Sequence, residues 1–528
     1  MARGCVSLIA WLLIFPAASA AAESPSTFAG QSATMAANRG FVSPKDFGAV
    51  GDCVRDDTAA FKAALTASVG KTLALGPYCY NLASLAGPMN PKGQVNIVGV
   101  GGNPYGATQI SEIKYPANTS LLQLAYNSAV KNVYIYAGAG GASTSGAAID
   151  MVGNPTGVVV VDNWIVGACN AIAINGPLST VTGNNVSGSN AGACRPYTIG
   201  ATATPSYTYN TYFVHNTVSE GALTPAGLTI YDSSGLFMIA NSMSLGIDGT
   251  DVTPGPGQTV IATTSAENYY GDTMSGVGLK INPSAPGGRV ASWTGTDNWV
   301  SNEQGVAPLS YIENINGGVV EDVQEKGFRA FGSANYNIEI GANTTGVSFV
   351  APLVCGIGAA GIQLDPGAGH FQIMGGGKIA TICGGVPKVY KGVVGITSQS
   401  ANPDVTVGGV DMTGVAVPLN PTRPGYGPSA NSVVTAMAGV DTELPSIASS
   451  STIALPINPV VAISGRTAIS TINGYWNGRH ARLVTTAGAV TLSTGGNICN
   501  SASSAGANKQ IDLIYAPAAH CWLASALP

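Results

Sequence analysis

The feature that most constrains this chain is a short apolar strand that recurs and ends each time at asparagine. Such stretches run into Asn132, Asn163, Asn184, Asn216, Asn241, Asn268 and Asn298, and a second apolar stretch follows each. Six steps separate Asn132 from Asn298, about 28 residues each, which is the signature of a stacked repeat. Val320-Glu-Asp322-Val reads as the next member, with Asp in place of Asn. One such coil cannot bury its apolar face alone, so neighbouring coils must provide the core. Asparagine tolerates a left-handed backbone and bonds its own chain, which suits a tight turn between two strands. Stacked asparagine side chains can also bond one another from coil to coil. The pattern fades after about residue 345, but strand-like pieces continue to residue 417.

Composition agrees with an all-β chain. There are 70 Gly and 31 Pro, only 9% of residues are charged, and 45% are hydrophobic. Long amphipathic helices need Glu, Lys and Leu, which are scarce, while the apolar content is enough for a large core. A net charge of −5 argues against nucleic acid or an anionic membrane as partner.

The N-terminus reads as an export signal. Arg3 precedes an apolar run from Val6 to Phe15, and Pro16 to Ala22 offers small residues for cleavage. The run is too short to span a bilayer. Residues 1–22 are therefore expected to be a signal peptide and 23–40 a linker, placing the protein outside the cytoplasm, secreted or periplasmic, with no membrane insertion. Beyond Cys5, eight cysteines fall in four neighbouring pairs: Cys53 and Cys79, Cys169 and Cys194, Cys355 and Cys383, Cys499 and Cys521. An even number in an exported chain points to disulfides, with 105 possible connectivities. Pairing in order is favoured because each pair lies within about one coil.

Val42 to Leu65 carries the sharpest motif, Asp-Phe-Gly-Ala-Val-Gly-Asp-Cys-Val-Arg-Asp-Asp-Thr-Ala-Ala-Phe. It reads as a short strand, a glycine turn and a helix. Asp56 or Asp57 can cap the helix, and Phe61, Ala64 and Leu65 share one face. This segment resembles the opening of the pectate-lyase-like superfamily, which includes rhamnogalacturonase- and epimerase-type proteins and phage tailspikes. The resemblance implies a right-handed single-stranded parallel β-helix over residues 41–417, with this helix plugging its N-terminal end. Cys53 departs from the family, which usually has Gly there. Pro418 to Pro428 reads as part of a linker (418–429), and residues 430–528 as a small β-sandwich-like domain of short strands between turns. That last region is similar to C-terminal domains of tailspike-like proteins, which implies help with homotrimer assembly or carbohydrate contact.

The superfamily holds lyases, hydrolases, epimerases and non-catalytic tails, so the fold does not fix the chemistry. The Asn-Thr-Asp, Asp-Asp, Gly-His-Gly and Arg-Ile-Lys motifs of polygalacturonase-like hydrolases are absent. Counting four residues past each turn gives a column that holds Glu220, Leu245, Asp272, Asn302 and Lys326, with Glu303 one step on. Coils stack about 4.8 Å apart, so Asp272 and Glu303 are expected about 5 to 10 Å apart, a range open to retaining and inverting carboxylate pairs. Lys326 is the candidate base or the partner of a substrate carboxylate. Glu220, Tyr269, Tyr270, Trp293, Asp297 and Trp299 are candidate substrate contacts, since Tyr and Trp offer faces to sugar rings. No cofactor is expected; the acidic turn from Gly246 to Asp251 is the one stretch with hard oxygen ligands for Ca²⁺. Two readings stay open. One is a lyase or glycoside hydrolase acting on an extracellular polysaccharide; the other is a non-catalytic carbohydrate-binding or adhesion protein.

Overall fold

The computed structural model describes residues 40–527 apart from 102–108, 139–142, 152, 189–193, 202–207, 220–223, 245–246, 272–275, 285, 302–309, 313–317, 343, 382–393, 400–404, 413–414, 416, 422–432, 436–445, 456–459, 476–478 and 505. The expected signal peptide and nearly all of the linker that follows it lie outside the described residues. No described helix is long and apolar enough to cross a membrane.

Up to residue 435 the strands form three parallel sheets of fifteen, thirteen and twelve strands. The chain visits them in rotation. Arg289–Thr296 lies in the first sheet, Trp299–Ser301 in the second and Ser310–Ile312 in the third, and Val319–Lys326 returns to the first beside Arg289–Thr296. This is a parallel β-helix, right-handed as crossover connections between parallel strands are. Alternation along each strand sends every second side chain inward. Val260, Val290 and Val320 thus stack in one fully buried column, as Ile281 and Ile340 do elsewhere. One core runs continuously from Val42 to Val415. Each such buried aliphatic contributes roughly 1.5–3 kcal/mol, so stability accumulates coil by coil.

The turn from the first to the second sheet explains the repeat. One residue in the left-handed region (Asp162, φ 54; His215, φ 54; Glu267, φ 54; Asp297, φ 52) precedes each asparagine. The asparagine itself is buried and joins a ladder. Nδ2 of Asn163 donates to Oδ1 of Asn184 at 2.9 Å, and the chain continues through Asn216, Asn241 and Asn268 to Asn298. The backbone N–H of each donates to the same acceptor. Two expected members fall outside it. Asn132 is itself the left-handed residue (φ 58), and the ladder starts where Val133 N–H donates to Asn163. Asp322 is no turn residue either; it lies inside a strand in register with Ser292, and buried Phe328 fills the asparagine position.

At the N-terminal end, Thr58–Ala67 is helical and buries Phe61, Ala64 and Leu65 as expected. Asp56 is the acid that accepts from Thr58 N–H, at 3.1 Å. Hydrogen bonds from Ser84 and Thr58 hold its carboxyl at about 2. Asp57 instead accepts from the backbones of Val50 and Gly51, tying the glycine turn to the helix. Cys53 has a left-handed backbone (φ 66), the conformation glycine adopts most readily, and bonds Cys79.

Cys169–Cys194 and Cys499–Cys521 are the other described disulfides, with Cα atoms 4.6 and 5.4 Å apart. Cys383, the expected partner of Cys355, lies outside the described residues. The ladders pass residue 417, where the coils were expected to stop: Val417–Pro421 pairs with Val394–Ser398, and Val433–Thr435 with Val405–Gly408. A second buried cluster, from Ile453 to Ala524, gathers around Leu483, Leu513 and Trp522 under a five-stranded mixed sheet.

Candidate functional site

The strand Asp248–Val252 belongs to the third sheet, where Thr250 and Val252 face the core beside Leu279 and Ile281. Alternation turns Asp251 outward. Its neighbours in that outward column are Thr229 on the preceding coil and Lys280 on the next. Among the described residues, neither Asp251 Oδ1 nor the neighbouring Thr229 Oγ1, both buried, has a hydrogen-bond partner. Burial raises the Asp251 carboxyl to about 6, against the pull of Lys280 and with repulsion from Asp248.

Asp248 meets Lys280 Nζ at 3.5 Å and accepts from Val277 N–H at 2.7 Å. Burial raises this carboxyl too, and Lys280 opposes the rise. Gly276 is required here because a Cβ would collide with the Asp248 carboxylate. Arg195 lies over the Tyr231 ring, 5.9 Å from its centroid, and its charge also acts on Asp251. Two carboxyls and two cations thus meet on one outward face. The expectation of Ca²⁺ at this turn does not suit the arrangement, because Lys280 already carries the positive charge against Asp248 and would repel a metal ion. Among the described residues, the one group of potential metal ligands close enough together is Cys53, Cys79 and Glu112, and both cysteines are in a disulfide.

Asp272, Glu303 and Glu220 lie outside the described residues. Lys326 is exposed on the first sheet, paired with Thr296 and Val350. The count that reached Lys326 began at Asp322, which lies inside the same first-sheet strand, Val319–Lys326, and not at a turn into the second sheet. Tyr270 and Trp293 are fully buried, so neither offers a face to a sugar. Tyr270 shares a hydrogen bond with Ser265 Oγ at 2.7 Å, and Trp293 Nε1 donates to Glu325.

Tyr269, Asp297 and Trp299 do come together. They line a groove of ≈ 320 Å³ with Glu267, Asn268 and Arg329 on the second sheet. Tyr269 and Trp299 are coil-to-coil partners with rings 5.1 Å apart, and Trp299 is 42% exposed. Sequence reasoning had picked out Asp248 and Asp251 as acids but missed Thr229, Arg195 and Lys280. Only the coil register brings these beside them.

Comparison with protein-family models gives no match, and comparison with curated proteins gives none. Among solved structures, the chain is similar to the catalytic unit of a GH87 alpha-1,3-glucanase from Streptomyces thermodiastaticus, with 15% identity and a TM-score of 0.49 over 78% of this chain and 69% of that one. It is also similar to an exopolygalacturonase from Thermotoga maritima, with 14% identity and a TM-score of 0.39 over 64% and 90% of the two chains. A third is tailspike protein 3 of bacteriophage CBA120, with 13% identity and a TM-score of 0.40 over 77% and 63%.

Proposed function

We propose that this is a secreted glycoside hydrolase acting on an extracellular polysaccharide at the outward face of the third sheet. The observation that carries the reading is the Asp248–Asp251–Lys280 arrangement. One carboxyl, Asp251, is held protonated towards neutrality by burial. The other, Asp248, has Lys280 and a backbone N–H that favour its charged form. Burial raises both carboxyls, and Lys280 opposes the rise at each; two neighbouring carboxyls, one of which can stay protonated, are what acid-assisted glycosidic cleavage needs. Asp251 delivers its proton to the leaving glycosidic oxygen as the bond from the anomeric carbon breaks. Asp248 supplies negative charge for the positive sugar ring and takes the proton of the water that adds to that carbon. The three disulfides among the described residues match an oxidising compartment, where such bonds persist.

Incubation of the full chain with a panel of neutral and acidic polysaccharides tests this. The expected result is new reducing ends without the ultraviolet absorbance of an unsaturated product, lost in Asp251→Asn. Unsaturated ends would make it a lyase. Binding without any cleavage would make it a carbohydrate-binding or adhesion protein on the same scaffold.

A further inference from the structure

The outward face of the second sheet carries two aromatic stations in one column. Tyr134 pairs with Trp164 near the N-terminal end, and Tyr269 pairs with Trp299 further along. Between the stations the column holds Asn185, Thr217 and Ser242 in succession. Four ladder steps from Trp164 to Tyr269, at about 4.8 Å each, set the stations about 19 Å apart along the helix axis.

Tyr134 of the first station and both rings of the second line grooves. The first, of ≈ 810 Å³, is lined by Glu112, Lys114, Tyr134 and Tyr136 among others. The second is the groove that holds Trp299 and Arg329. The second station is held rigidly. Tyr269 Oη and Ser301 Oγ share a hydrogen bond at 2.9 Å, and Phe331 meets Trp299 edge-on at 5.8 Å. Gly271 leaves room for the Tyr269 ring, which a Cβ would strike. Rings fixed in advance lose little freedom when a ligand stacks on them.

Among the described residues, the column between the stations is uncharged and rich in hydroxyl groups. Ser219 Oγ donates to Asn185 Oδ1 at 3.0 Å, and Ser242 and Ser244 share a hydrogen bond at 3.4 Å. Hydroxyls and amides both donate and accept, which matches sugar hydroxyls. Charge at the stations is mixed: Lys114 pairs with Glu112 at 3.6 Å, and Arg329 shares its groove with Glu267 and Asp297. No single sign dominates, so neither a polyanion nor a polycation is favoured.

We propose that this face is a binding track for an extended, uncharged polysaccharide lying along the helix axis, separate from the acid cluster on the third sheet. Its ligand class rests on the polysaccharide reading above, but its residues do not. The track holds the polymer while the third sheet acts on it, and two stations joined by one chain bind as a bivalent pair.

The test is affinity electrophoresis of the full chain in gels containing a soluble neutral glucan, a galactomannan or polygalacturonate. The variants are Trp164→Ala, Trp299→Ala, the double variant and Trp299→Phe, with thermal melts to confirm folding. Each single alanine is expected to weaken binding of a neutral polymer about tenfold and the double variant about a hundredfold or more, while Trp299→Phe stays near wild type. Tryptophan fluorescence of the unaltered protein should change on adding that polymer. Unchanged binding by a folded double variant overturns the track, as does tighter binding of polygalacturonate than of both neutral polymers. If Asp251→Asn cleaves normally, the hydrolase assignment fails while the tryptophan result still decides the track.

Discussion

Asn298 donates its side-chain N–H to the carboxylate of Glu325 at 3.1 Å, so an acid ends the buried asparagine ladder. Trp293 Nε1 donates to the other oxygen at 2.9 Å. Both donors favour the anion, but burial in the core outweighs them and raises Glu325 from its ordinary 4.5 to about 7. Between those values the folded chain binds more protons than the unfolded one. Stability is therefore full below about 4.5 and falls as pH rises to about 7, by on the order of 3 kcal/mol. Glu325→Gln removes this titration and flattens that part of the curve. Urea unfolding at several pH values checks it; the same pH dependence in both proteins would rule the assignment out.

Gly295 is the coil partner of Glu325 and faces the core with it. A Cβ at Gly295 would overlap the Glu325 carboxylate. Gly295→Ala is expected to destabilise by about 1–3 kcal/mol, as overpacking does. Adding Glu325→Ala in the same chain makes room and should recover part of the loss. Additive losses in the double variant would show that the two residues do not compete for the space.

Cys53 combines a left-handed backbone with a disulfide to Cys79 across 26 residues. Losing the crosslink is expected to cost about 3 kcal/mol. Cys53→Gly loses it but gains a residue at ease at φ 66, whereas Cys53→Ala loses it and keeps the strain. Thermal melts should put the glycine variant about 1–2 kcal/mol above the alanine variant, the usual cost of a left-handed non-glycine residue. Equal melts would mean the backbone there relaxes once the bond is gone.

The repeat was legible because its asparagines recur at coil spacing, and the cap because glycine turn and helix face sit in one short segment. The phase within a coil was not. Val320-Glu-Asp322 copies the local pattern of the asparagine turns, yet its strand runs on to Lys326 and the turn follows one step later, beside Phe328. Nothing nearby in the sequence marks Glu325 as the residue that closes the ladder; its inward aim depends on Gly295, on the coil before. The same phase error put Tyr270 and Trp293 on the surface. Tyr269 and Tyr270 are adjacent, so one faces out and the other in, and only register decides which. Asp251 and Lys280 likewise meet through pairing between coils.

Asp251 makes the sharpest prediction about activity. As the proton donor it works only while protonated, and its folded carboxyl releases the proton near 6. Cleavage should therefore fall as pH rises through about 6. Lys280 attracts the Asp251 anion, so Lys280→Met removes a charge that lowers this carboxyl and should move the falling limb to higher pH. It also leaves Asp248 without its cation, so the low-pH limb should move up as well. Asp251→Asn should lose about 10²- to 10⁴-fold in rate, the usual contribution of a positioned acid, and show no limb near 6. Rate–pH profiles on the polymer identified by the substrate panel decide it; a limb near 6 that survives in Asp251→Asn would assign the proton to another residue.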